Sequence, residues 1–128
     1  MADEIAHLAR RFPRWTFVAL DPSTQMIAAC RARAEREGFA DRCGFHAGVV
    51  DTLPDAPAFD GATCLLVSQF LLDPLERTAF FASIARRLHA GGTLAWADLA
   101  WDTDAPDYPA MLKLWMETMS GAGLDAAA

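Results

Sequence analysis

Residues 15–23 read Trp-Thr-Phe-Val-Ala-Leu-Asp-Pro-Ser, and the interpretation of the whole chain starts from this stretch. The residues before Asp21 carry no formal charge and are mostly apolar, which predicts a strand covered on both faces in a parallel sheet. A Pro-Ser pair follows Asp21 and indicates the start of a helix. Asp21 therefore falls at the carboxyl end of a strand, where open α/β sheets place their ligands.

Two roles suit an aspartate in this position. Its carboxylate oxygens can accept hydrogen bonds from the vicinal hydroxyls of a ribose. Alternatively, Asp21 only caps the helix that begins near Ser23. This stretch does not decide between the two roles.

The composition sets limits on the class of protein. The chain has 128 residues, 53% of them hydrophobic and 22% charged, which predicts one domain, residues 1–128, with a buried core. A net charge of -6 argues against nucleic acid as a partner. No apolar run reaches the roughly 20 residues of a membrane span, so a membrane partner is not expected.

Cysteine and histidine spacing indicate neither a disulfide framework nor a metal site. The three cysteines are odd in number and show no C-x-x-C spacing, which favours the reducing cytoplasm. The three histidines are scattered singly, so no metal centre is expected.

Helices and strands alternate along the chain, which predicts right-handed crossovers and a mainly parallel sheet. We expect a Rossmann-like three-layer α/β sandwich, with a poorly ordered tail over 119–128. Predicted helices cover 3–12, 23–37, 73–91 and 108–119, and predicted strands cover 15–21, 43–48, 61–67 and 93–98. The strand 61–67 is apolar on both faces and is expected to be central.

Three segments end up at the same edge of the predicted sheet, namely 21–23, 48–53 and 67–70. Such an edge suits a nucleoside, with the ribose on Asp21, the base between apolar side chains and the base edge on a short acid. Met26 either packs on the base or fills the core. Asp51 either accepts from an exocyclic amine or is a plain turn residue.

Four segments in this order resemble a class I S-adenosylmethionine-dependent methyltransferase over about residues 3–100. They are Phe17-Val18-Ala19-Leu20-Asp21-Pro22-Ser23 with Met26, Gly48 with Asp51-x-Leu53-Pro54, Phe59-Asp60-Gly61-Ala62-Thr63, and Arg86-Arg87-Leu88-x-x-Gly91-Gly92-x-Leu94. The segment 68–77 also resembles the bacterial branch that includes tRNA-uridine carboxymethylation enzymes and their small-molecule relatives.

The resemblance implies S-adenosylmethionine as the cofactor and a small molecule as the methyl acceptor. Asp21 would hold the ribose, Met26 and Val49 would flank the adenine, and Asp51 or a nearby backbone amide would meet the adenine amine. Ser68 and Gln69 would border the methionine end and the acceptor. The full set of implied cofactor-binding residues is Asp21, Pro22, Met26, Val49, Val50, Asp51, Ser68 and Gln69. Val49 departs from the pattern, because many relatives have an acid there.

The resemblance also implies that the domain is incomplete relative to the seven-stranded fold. The first strand with its glycine-rich loop, and the last strands, have no counterpart in the sequence. The missing strands leave strand edges open, and we expect one of three outcomes. The open edges pair directly with each other, another chain supplies the missing strands, or this chain is a fragment of a longer protein. These edges would then serve for self-association. The apolar helix 108–119 either does the same or packs in the core, and core packing is favoured.

Three functions compete at this point. The first is a methyltransferase, the second is a non-catalytic remnant that binds partners or oligomerises, and the third is a nucleotide-sugar or dinucleotide oxidoreductase domain. No catalytic residue is assigned. Asp98 and His46 are the candidate bases, with a structural role favoured for each, and Trp101, Asp102 and Tyr108 are candidate acceptor contacts.

Overall fold

The computed structural model describes residues 1–100 and 102–121, and the elements follow one another in the predicted order. The helices are α1 (Ala2–Arg11), α2 (Thr24–Glu37), α3 (Pro74–Arg87) and α4 (Tyr108–Gly121), and the strands are β1 (Phe17–Asp21), β2 (Cys43–Ala47), β3 (Phe59–Leu65) and β4 (Leu88–Ala97). The chain divides into two units, Met1–Ala97 and a second that begins at Asp98. The prediction of one domain over the whole chain stays a prediction, and most of the predicted tail lies outside the described residues.

Both strand pairings are parallel, as predicted. β1 pairs with β2 from Phe17 opposite Cys43 to Asp21 opposite Ala47. β3 pairs with β4, with a register shift near Phe59. The result is an incomplete Rossmann-like α/β fold. Within the described residues the strands form two separate pairs, so each strand keeps one edge without a strand partner.

The prediction that β1 and β3 are covered on both faces is wrong. Only Ala19 in β1 and only Cys64 in β3 are buried, while Val18 and Leu65 are each more than 40% exposed. An apolar pattern shows which side chains favour burial, but burial also needs neighbouring strands and helices. β3 is therefore an edge strand and not the centre of a sheet.

The hydrophobic core lies where α1 and α2 pack on the β1–β2 pair. Its buried members are Ile5, Ala6, Ala9, Ala19, Ile27, Cys30, Ala34, Phe39 and Cys43. Met26 does not belong to it, because its side chain is 47% exposed. The interpretation of Met26 as core filling is therefore wrong.

The predicted helix ends are mostly confirmed. The Ser23 hydroxyl accepts the amide hydrogen of Met26 at 3.2 Å, and Gly38 ends α2 with a left-handed φ of 76°. At α3, the Asp73 carboxylate accepts from the amide of Leu75 at 2.9 Å, and proline follows it at the first helical position.

The end of α3 differs from the prediction. The helix stops at Arg87 instead of reaching the glycine pair 91–92, and the Arg87 carbonyl accepts from the amide of Ala58 at 2.9 Å. Residues 89–92 then bulge out of β4, where Gly91 has a φ of 81°. On α3 the apolar Leu75 is exposed, whereas the polar Ser83 and Arg87 are buried.

Charged side chains tie α1 to its neighbours. The guanidinium of Arg42 donates to the carbonyls of Ala9, Phe12 and Trp15, at and just beyond the end of α1. Arg33 of α2 forms an ion pair with Asp3 of α1 and another with Glu37 of its own helix. The hydrogen bond from Arg33 lowers the pKa of Glu37.

Burial raises the pKa of the Cys30 and Cys43 thiols above the ordinary value. At pH 8 we expect both thiols of the folded protein to react with a disulfide reagent more slowly than in denaturant, because the thiolate is the nucleophile. Since the unfolded chain loses these protons first, the free energy of unfolding should also fall as pH rises above about 8.5. Stopped-flow thiol titration and denaturant unfolding measure the two effects. Equal reaction rates in native and denaturing buffer would contradict the burial.

In the second unit, α4 presents apolar side chains to solvent. Met111, Leu112, Leu114 and Met116 are 38–57% exposed. Across the described residues, no helix combines the length and the apolar character that crossing a bilayer requires.

Candidate functional site

Asp21 lies at the end of β1 and is half-buried. Its Oδ1 accepts the amide hydrogen of Ser23 at 2.8 Å, and its carbonyl accepts the amide hydrogen of Gly48 at 3.0 Å. Ser23, not Asp21, provides the N-cap of α2. The side-chain bond of Asp21 stabilises the turn that precedes α2, and its role in holding a ribose stays a prediction. Oδ2 of Asp21 takes part in neither of these contacts.

The segment after β2 forms a tight turn at the same end of the strand pair. Amide hydrogens of Thr52 and Leu53 bond to the carbonyls of Val49 and Val50 at 3.0 and 3.1 Å. Val49 presents a side chain that is 52% exposed. A Cβ at position 48 would lie 2.6 Å from Oγ1 of Thr52 and 2.8 Å from Nε2 of His46, so a larger residue there would displace these side chains.

His46 supports this turn. The Thr52 hydroxyl donates its hydrogen to the Val49 carbonyl at 2.7 Å, so it can only accept from Nε2 of His46, which lies 2.7 Å away. Nε2 of His46 is therefore the donor in this contact. A structural role for His46 explains these contacts.

Asp51 is held by α3. Its Oδ1 accepts a hydrogen bond from the Ser83 hydroxyl and lies 4.0 Å from nitrogens of both Arg86 and Arg87. The side chain nevertheless stays 74% exposed. Asp51 is therefore more than a plain turn residue, and it remains accessible to a ligand.

Ser68 and Gln69 lie in the short turn after β3. Ser68 is fully buried, its hydroxyl accepts from Nε1 of Trp96 at 3.0 Å, and its carbonyl accepts from Nη2 of Arg77 at 2.9 Å. Leu66, just before this turn, has a φ of 59°, a strained left-handed conformation for leucine. Ser68 thus holds the turn in place, and ligand contact by Ser68 or Gln69 stays a prediction.

The structure groups the predicted residues in two places. The β1–β2 pair brings Asp21 and Pro22 next to the turn 48–52, and Met26 lies in the first turn of α2. Ser68 and Gln69 follow the other strand pair. Helix α3 contacts both places, through Ser83 to Asp51 and through Arg77 to Ser68.

Sequence reasoning missed Ser83 and Arg87. They are four residues apart, on the same face of α3 as the buried Ile84 and the partly buried Phe80. Two polar residues on the buried face of a helix are a usable signal, because such residues need hydrogen-bond partners.

The second unit contains its own apolar pocket of about 340 Å³. Its lining residues are Leu99, Ala100, Thr103, Tyr108, Met111, Leu112 and Trp115. Of the predicted acceptor contacts, Tyr108 lines this pocket, Asp102 accepts from the amide of Asp104, and Trp101 lies outside the described residues. Within 1–100 and 102–121, no group of His, Cys, Asp or Glu side chains could hold a metal ion.

Comparison with known families identifies the chain. A family model described as a methyltransferase domain matches residues 2–92, which is most of the chain and includes β1, β2, β3 and the first residues of β4. No curated protein matches the sequence significantly. The chain therefore belongs to the methyltransferase domain family.

Proposed function

We propose that this chain binds S-adenosylmethionine at the carboxyl ends of β1 and β2 and transfers its methyl group to a small molecule. Family membership supports the reaction class. The observation that supports the site is Asp21, whose half-buried carboxylate accepts from the Ser23 amide through Oδ1. In this proposal its Oδ2 accepts from a ribose hydroxyl.

The residues present fit the nucleoside half of the cofactor. Met26 and Val49 are large apolar side chains, about half exposed, on the elements that follow β1 and β2. Apolar side chains with a few placed polar groups are typical of small-molecule sites. Asp51 adds an acceptor that can take a hydrogen bond from an amine.

The chain's own contribution to the reaction is positioning and water exclusion. S-adenosylmethionine supplies an electrophilic methyl group on a sulfonium. Asp21 fixes the ribose, Met26 and Val49 shield the base from water, and Asp51 orients the base edge. A displacement at carbon depends mainly on alignment and desolvation, so no general base is required of these residues.

Isothermal titration of the full chain with S-adenosylhomocysteine and S-adenosylmethionine tests this proposal. We expect saturable binding of both ligands with a dissociation constant on the order of micromolar. A parallel titration with NADH tests the oxidoreductase alternative. Heat with NADH only, or no heat with any ligand at high micromolar concentration, would overturn the proposal.

A second function is supported by the exposed strands. Leu65, Leu66 and Val67 are 42–46% exposed, and β1 and β3 each lack a second strand partner within the described residues. We propose on this ground that copies of the chain associate through these strands. Sedimentation velocity at rising concentration should show a dimer or larger species. A monomer at every concentration would rule this function out.

The acceptor and the compartment complete the proposal. A cytoplasmic location is supported by the buried thiols of Cys30 and Cys43. A small-molecule acceptor, as opposed to a nucleic acid, is supported by the formal net charge of -6.

A further inference from the structure

A buried arginine at the end of α3 is the centre of a polar network. The Arg87 side chain is only 4% exposed. Its Nη1 donates to the carbonyl and the hydroxyl of Ser83 at 2.9 and 2.7 Å, and its Nη2 donates to the carbonyl of Leu53 at 2.8 Å. A buried guanidinium is costly unless its donors are satisfied. These bonds occupy both terminal nitrogens of Arg87, whereas Nε is buried without a hydrogen-bond partner among the described residues.

Hydrogen-bond donation in this network has one direction. Arginine can only donate, so the Ser83 hydroxyl must accept from Arg87. The single hydroxyl hydrogen of Ser83 is then left for Oδ1 of Asp51. Donation thus runs from Arg87 through Ser83 to Asp51, and Oδ2 of Asp51 is outside the chain of donors.

Further contacts fasten the whole segment 51–58 to α3. Nε of Arg86 donates to Asp55 at 3.1 Å, and the amide of Ala58 donates to the Arg87 carbonyl at 2.9 Å. The Arg87–Leu53 bond precedes these two anchors along the chain and lies nearer to Asp51. The end of α3 therefore sets the position of the turn that carries Val49 and Asp51.

We propose that Ser83 and Arg87 are positioning residues that orient Asp51 toward the exocyclic amine of an adenine base. This inference rests on the proposed function and adds a base preference to it. The free carboxylate oxygen of Asp51 can accept from the amine of adenine, whereas hypoxanthine presents a carbonyl oxygen at the same place and would be repelled.

Paired titrations with S-adenosylhomocysteine and its inosine analogue measure this preference. We expect the wild-type chain to favour the adenine form by about tenfold, the effect of one hydrogen bond to a charged group. In Ser83→Ala the preference should fall to about twofold or less, because Asp51 loses its hydrogen bond to α3 and keeps only the 4.0 Å ion-pair contacts to Arg86 and Arg87. Arg87→Lys keeps the charge but loses the planar guanidinium that donates to Ser83 and Leu53 from two different nitrogens. This variant should also reduce the preference.

Thr78→Ala is the matched control, since its hydroxyl lies on the same helix and bonds only to the Pro74 carbonyl among the described residues. This variant should keep the full base preference. A Ser83→Ala protein with an undiminished preference would overturn the positioning role, whatever its melting temperature.

Amide hydrogen exchange of Thr52 and Leu53, without ligand, separates this inference from the proposed function. Ser83→Ala should speed exchange at both amides by about tenfold, because the turn loses the one anchor that holds it at Asp51. If the wild type binds neither nucleoside, the proposed function and the base preference both fall. Unchanged exchange in Ser83→Ala removes the positioning role even where the cofactor binds.

Discussion

Replacing Asp21 by alanine is expected to weaken the binding of S-adenosylhomocysteine about a hundredfold, or about 3 kcal/mol. A carboxylate that accepts from both hydroxyls of a ribose makes two charge-assisted hydrogen bonds, and alanine removes both. The change also removes the bond from Oδ1 to the Ser23 amide, so the start of α2 should lose about 1 kcal/mol of stability. Isothermal titration and thermal unfolding measure the two effects.

Two further variants make this prediction specific. Asp21→Asn can still accept from the Ser23 amide through its side-chain oxygen, so it should preserve stability but lose about tenfold in affinity. Asp41→Ala removes a carboxylate from the turn 40–42, away from the end of β1, and should leave the affinity unchanged. Equal affinities of the wild type and Asp21→Ala would contradict the placement of the ribose.

Replacing Phe39 by alanine should destabilise the protein by about 3–5 kcal/mol, the usual cost of removing a buried aromatic ring. Phe39 is 3% exposed and belongs to the core between α1, α2 and the β1–β2 pair. Its amide is bonded to the Ala34 carbonyl at 2.9 Å, so the backbone is held beside the cavity that the change creates. Urea unfolding followed by tryptophan fluorescence measures the loss.

The chain offers a matched control for this core substitution. Phe70 is 75% exposed, so Phe70→Ala should change the free energy of unfolding by no more than about 0.5 kcal/mol. Similar losses for the two variants would mean that the core is not built around Phe39.

Local signals in the sequence predicted the elements and their ends well. Ser23, Gly38 and Asp73 act through backbone bonds within a few residues, so their roles can be inferred from a short stretch. The ligand-side placement of Asp21 followed in the same way, because strand and helix signals fall directly on either side of it. The sequence could not predict that only Oδ1 of Asp21 bonds to the Ser23 amide, because this bond depends on the geometry of the turn.

The rest depended on partners far along the chain. Asp51 and Ser83 are 32 residues apart, and no local pattern predicts that the Ser83 hydroxyl donates to the Asp51 carboxylate. Arg42 reaches back 33 residues to the carbonyl of Ala9 for the same kind of reason. The exposure of β3 was missed because its apolar residues predict burial, while the described chain supplies only β4 as a pairing strand.

The central claim is that a nucleoside binds at the carboxyl ends of β1 and β2. Titrating the isotope-labelled chain with S-adenosylhomocysteine, while recording amide nitrogen–proton spectra, tests it most directly. The account predicts that the largest shifts fall on residues 21–26 and 48–52. Saturable shifts confined to other segments, or none at all, would contradict it.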